Sequence, residues 1–139
     1  MSPDLLFTLC NTVVLPGWLL LVIVPRWRWT QRLAAILIPA VLGIVYTLLI
    51  VTQFRHSRGG FGSLVGVQQF FENPYLLLAG WIHYLAFDLL TGAWEARDAL
   101  RRHIPMGAVW PCLFLTFLFG PLGFLSYLLV RGTVLRTWE

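Results

Sequence analysis

Four apolar stretches, each about 20 residues long, dominate this chain and fix its class. A helix of about that length crosses a hydrocarbon core of about 30 Å. In lipid each backbone polar group must be satisfied internally, which a helix does within its own segment. The stretches cover residues 5–24, 33–54, 74–94 and 108–130. The expected fold is therefore all-α: a polytopic membrane protein, a bundle of four transmembrane helices forming a single membrane domain over residues 1–139. Charged residues make up 12% of the chain, about half the usual share of a soluble domain. They gather in the gaps between the apolar stretches.

The boundaries carry interfacial chemistry. Pro25-Arg26-Trp27-Arg28-Trp29 closes the first stretch, an interleaving of arginine and tryptophan suited to headgroup depth. Asn73-Pro74 opens the third, since proline is tolerated in a first turn. Pro16, Pro39 and Pro121 are expected to bend their helices. The longest loop, residues 55–73, is glycine-rich at its start and apolar at its end. Its apolar half is expected to form a short amphipathic segment on the membrane surface, or a partial lid. The first stretch has no basic residue before Arg26, so it reads as a mature span rather than a signal peptide.

All ten basic residues are arginine, and the net charge is +4. No basic stripe with nucleic-acid-type aromatics accompanies that balance, so the lipid bilayer is the expected partner and nucleic acid is not. Alternating helices place Arg26, Arg28, Arg32, Arg97, Arg101 and Arg102 on one side and Arg55, Arg58, Arg131 and Arg136 on the other. The positive-inside rule then favours a cytoplasmic first and third loop by a narrow margin. Cys10 and Cys112 start helices from opposite sides and read as small core residues.

Ionisable residues at bilayer depth are costly, about 2.5–3.5 kcal/mol each on insertion scales, and they mark sites by default. The third stretch carries His83 and Asp88. Tyr84, Asp88, Thr91 and Glu95 recur at the helical spacing that makes one polar stripe, with His83 on its flank. Depth matching adds Asn11 from the first helix, Tyr46 from the second and Tyr127 from the fourth. Trp81 and Trp94 bracket the stripe. The expected site thus has His83 and Asp88 as catalytic residues. Trp81, Tyr84, Thr91, Trp94, Glu95, Asn11, Tyr46 and Tyr127 would surround a substrate. Glu95, Arg97 and Asp98 also read as a boundary ion-pair cluster. His56 and His103 fall in loops and read as solvated. Three dispersed histidines do not match a di-iron site, so no metal and no cofactor is expected.

These same residues carry a family resemblance. Leu15-Pro16, Pro25, Gly43-Ile44 with Tyr46, the stretch from Phe61 to Phe71, Trp81-x-His83-x-x-x-x-Asp88-Leu89 and Pro121-x-Gly123 together resemble the abscisic acid deficient 4-like family. These are small four-helix membrane proteins related to a plant protein implicated in neoxanthin synthesis. Residues 92–98 are similar to its bacterial branch, and the chain begins at the first span where plant members carry a plastid-targeting extension. The resemblance implies a protein of a bacterial inner (cytoplasmic) membrane working in carotenoid or related isoprenoid metabolism. It implies an isomerase of xanthophyll end groups, in which an epoxide opens and an allene forms. His83 and Asp88 would then be its acid–base pair. A carotenoid-binding or scaffold protein without catalysis is the alternative. A homo-oligomer or a biosynthetic partner fits either.

Overall fold

The computed structural model describes residues 1–135. Its elements among these residues are helical: α1 (Pro3–Ile23), α2 (Thr30–His56), α3 (Leu64–Phe70), α4 (Pro74–Arg101) and α5 (Met106–Leu135). Four of them, α1, α2, α4 and α5, are long and apolar enough to cross a membrane, so the all-α membrane bundle is observed.

The helix starts follow from their capping residues. The Ser2 hydroxyl accepts from the Leu5 N–H ahead of Pro3. Asn73 Oδ1 accepts from the Tyr75 N–H at 2.9 Å ahead of Pro74. Ser63 Oγ accepts from the Gly66 N–H at 3.0 Å to open α3. Each satisfies an otherwise orphaned donor of a first turn. Of the internal prolines, Pro16 lies inside a continuous α1. Within α2 the turn over Leu33–Leu37 is widened into π geometry just before Pro39, whose ring and missing N–H disfavour a regular preceding turn.

α4 is the central helix. Half of its apolar window is buried, against 28% in each of the other three, and α1, α2 and α5 all pack on it. Leu76, Ala79, Ile82, Leu89, Ala93, Ala96 and Ala99 have no exposed surface. The opposite faces of α1, α2 and α5 present Leu19, Ile44, Leu48, Phe114 and Leu129, all more than half exposed. That is the surface expected toward lipid tails. The apolar loop segment forms α3, with Phe70 buried against Phe54 and Phe61 while Leu64 and Val65 remain exposed.

α5 is broken, and the break reverses the chain. Phe119 has φ −145° and ψ 72°, outside the helical region. Before it, Thr116 meets Glu95. After it, Phe124 and Tyr127 meet Trp94, and Tyr127 and Arg131 meet Asp98. A straight helix antiparallel to α4 would carry Tyr127 toward the start of α4, because eleven residues rise about 16 Å. Instead both arms lie beside the same end of α4. Pro121, expected to bend a spanning helix, is the second residue after the break, where its missing N–H costs little. The arms approach closely through glycine: a β-carbon at Gly123 would fall on Thr116, and one at Gly120 would fall on the Asp88 carboxylate.

The reversal relocates charge. Arg131 lies with Arg97, Arg101 and Arg102 rather than opposite them. Among the described residues, Arg26, Arg28, Arg32, Arg97, Arg101, Arg102 and Arg131 share one end of the bundle, and Arg55 and Arg58 hold the other. Arg136 lies outside the described residues.

Candidate functional site

Consecutive residues of a helix are about 100° apart, so five residues separate His83 from Asp88 by about 140° around α4. The structure accordingly puts them on different faces. Asp88 is 9% exposed and faces the break in α5. His83 is exposed and faces α2. The two are not assembled into one constellation.

The Asp88 face is a packed polar ladder. The Tyr84 hydroxyl donates to the Leu118 carbonyl beside the break and adjoins the Asp88 carboxylate, toward which the Gly120 N–H also points. Asp88 Oδ2 is buried without a hydrogen-bond partner among the described residues. Two turns further, Glu95 is fully buried against the Thr116 hydroxyl, at 2.8 and 3.1 Å from its two oxygens. Thr116 Oγ1 also lies 2.9 Å from the Cys112 carbonyl. One hydroxyl proton cannot serve both acceptors. A carboxylic acid at Glu95 donating to Thr116, with Thr116 donating to Cys112, satisfies the whole chain. Asp98 closes the ladder. It accepts from Tyr127 at 2.7 Å, pairs with Arg102 at 3.0 Å and with Arg131 at 3.2 Å. Tyr127 and Arg131 join this face only because α5 reverses, which no spacing within α4 announces.

The His83 face is a groove. Its ring stacks on Phe87 with centroids 4.6 Å apart and lies 6.0 Å from the ring of Tyr46 on α2. Two cavities meet there, both lined by Tyr46 and His83. One of about 120 Å³ runs between α2 and α4 past Leu42, Gly43 and Leu90. The other, of about 240 Å³, lies beneath α3 among Phe61, Phe70 and Phe71. His83 is the one ionisable group other than the Tyr46 phenol on these walls. Phe70 and Phe71 belong to the apolar half of the loop that the sequence marks, whereas Phe61 falls in its glycine-rich half. Their convergence on His83 required the fold of α3.

The remaining expected residues distribute as follows. Asn11 accepts from the Trp81 indole N–H at 3.3 Å, and Trp81 stacks on Tyr84 with centroids 5.1 Å apart. That pair lies along the α1 side of α4. The Thr91 hydroxyl donates to the Phe87 carbonyl of its own helix. Trp94 packs edge-on to Tyr127 beside Asp98. Tyr127, matched by depth to the His83 end, lies instead at the Asp98 end, because the second arm of α5 runs back. Tyr84, Asp88, Glu95 and Tyr127 thus share the hairpin face, and Tyr46 and His83 share the groove. No group of three or more histidine, cysteine or acidic side chains among the described residues is arranged to hold a metal ion.

Residues 5–127 match the ABA DEFICIENT 4-like family. The chain is 26% identical over 138 residues to Protein ABA DEFICIENT 4, chloroplastic, of Arabidopsis thaliana, covering 92% of this chain and 61% of that protein. It therefore spans about three-fifths of the length of that relative. No solved structure matches it. With the family match covering most of its length, the chain belongs to the ABA DEFICIENT 4-like family.

Proposed function

We propose that this protein acts within the bilayer on a carotenoid or a related isoprenoid, as an isomerase of xanthophyll end groups, and that His83 is the group that moves the proton. The observation that carries the reading is the groove: aromatic rings on its walls and an exposed histidine common to both of its cavities. Ligand sites combine apolar lining with a few placed polar groups, and aromatic rings offer a polyene a large flat contact. Family membership supports the substrate class, through the resemblance to a plant protein implicated in neoxanthin synthesis.

The reaction balances without an oxidant or reductant. A vinylic C–H proton passes to the imidazole. Its electron pair forms the second double bond of an allene, the adjoining epoxide C–O bond breaks, and the oxygen takes up a proton. One histidine can accept the first proton and return it to the oxygen. A positioned acid–base group of this kind contributes about 10²–10⁴-fold. The arginine-rich end of the bundle faces the cytoplasm by the positive-inside rule, and a bacterial inner membrane is the setting this reading assigns. A second reading places the chemistry at Asp88, whose Oδ2 is buried without a partner.

The test is expression in a host supplying several xanthophylls, with extracted pigments compared by chromatography and mass. A new isomer of unchanged mass is the expected result. An unchanged profile with pigment co-purifying would replace catalysis by binding or scaffolding. An unchanged profile with no bound pigment would contradict a carotenoid role.

A further inference from the structure

α4 ends in a tight reversal that favours glycine and has histidine instead. The Ile104 N–H donates to the Ala99 carbonyl at 2.9 Å, and the His103 N–H donates to the Leu100 carbonyl. This pair of bonds requires a left-handed residue just past the helix end, a position usually filled by glycine and sometimes by asparagine. His103 has φ 56°. A side chain in that conformation is strained relative to glycine. Its imidazole helps line a cavity of about 420 Å³ with Arg26, Leu100, Ile104 and Pro105.

Arg26 comes from a different connection, the one between α1 and α2. Four of the cations at this end are engaged. Arg28 and Arg32 lie over the Trp29 ring at 5.4 and 4.8 Å, and Arg102 and Arg131 pair with Asp98. Arg26 has no carboxylate partner among the described residues. A guanidinium and an imidazole therefore converge on one cavity whose other walls are apolar, at the arginine-rich boundary of the bundle. Basic pockets between membrane helices at this depth suit the phosphate of an acidic lipid, and a guanidinium fork matches phosphate oxygens.

We propose that Arg26 and His103 form a binding site for a phosphate-bearing headgroup at the arginine-rich end of the bundle. The site is separate from the His83 groove. Arg26 neutralises the anion, and the imidazole N–H donates to a second phosphate oxygen. Leu100, Ile104 and Pro105 contact the glycerol end of the lipid.

The test uses the full chain, purified in detergent and mixed with phosphatidylglycerol or phosphatidylcholine, with bound lipid counted by native mass spectrometry. Preferential retention of phosphatidylglycerol is expected. Arg26→Gln and His103→Gly should each weaken that retention about fivefold, the effect of about one interfacial charge contact. Arg26→Lys should keep more of it than Arg26→Gln, because the charge remains while the fork is lost. His103→Gly should also unfold at the same or a higher temperature, because glycine relieves the backbone. That combination separates a ligand role from a structural one. Displacement of the lipid by millimolar inorganic phosphate would assign recognition to the anion alone, and resistance to it would assign it to the whole lipid. Equal retention of the two lipids, undiminished retention in both variants, or a destabilised His103→Gly would overturn the proposal.

Discussion

The two faces of α4 solve opposite problems with the same residue types. Toward α5 the helix offers Asp88, Glu95 and Asp98; the first arm of α5 brings Thr116 and Gly120 to them, and the reversed second arm brings Tyr127 and Arg131. Toward α2 and α3 it offers His83, flanked by rings and open space. One face consumes its polar groups in packing, and the other leaves a polar group unspent beside a cavity. Ionisable residues at membrane depth mark sites by default, but here the default divides. Most of the acidic ladder is explained by the hairpin it holds, whereas the exposed imidazole packs against the rings of Phe87 and Tyr46, with no hydrogen-bond partner among the described residues.

The hairpin is where the contrast breaks most visibly. If both arms of α5 lie beside the same end of α4, cysteines introduced at Gly107 and Thr133 will react with an impermeant thiol reagent from the same side of the membrane. Cys10 and Cys112 would first be replaced by alanine. Labelling from opposite sides would mean that α5 crosses, and the ladder would lose Tyr127 and Arg131.

A smaller, graded effect follows at the turn. Gly123→Ala puts a methyl group onto the Thr116 backbone of the other arm, and overpacking of this kind costs about 3 kcal/mol at the upper end of its usual range. Unfolding of the purified variant in detergent should show it. Unchanged stability would mean that the tip is looser than described.

The helices were legible because their apolar runs match the thickness of a bilayer, and α3 because an apolar octet follows a glycine-rich loop. The break was not. Phe119-Gly120-Pro121 has no polar turn residue, since a reversal inside lipid has no water to meet, and a lone proline in an apolar run reads as a bend. Simple alternation of helices puts Arg131 on the far side, and Tyr127 with it, whereas the reversal brings both to Asp98. The residues of the polar stripe were legible from their spacing, and Asp88 and Glu95 do share a face. Helical spacing puts His83 on the flank of that stripe, about 140° from Asp88, but only the packing of α2 and α3 shows that this flank is a separate groove. His103 gave no signal, because a left-handed cap is visible only in the backbone.

The smallest expected effect on stability and the largest on chemistry meet in one experiment. An exposed His83→Ala should change stability by no more than about 0.5 kcal/mol. The central claim is that the groove face, not the ladder face, carries the chemistry. His83→Ala and Asp88→Asn should be expressed side by side in the xanthophyll-supplying host, with product measured per unit of folded protein. The account predicts that His83→Ala folds normally and loses the product, while Asp88→Asn lowers stability but keeps it. Product retained in His83→Ala and lost in well-folded Asp88→Asn would contradict it and move the chemistry to the hairpin.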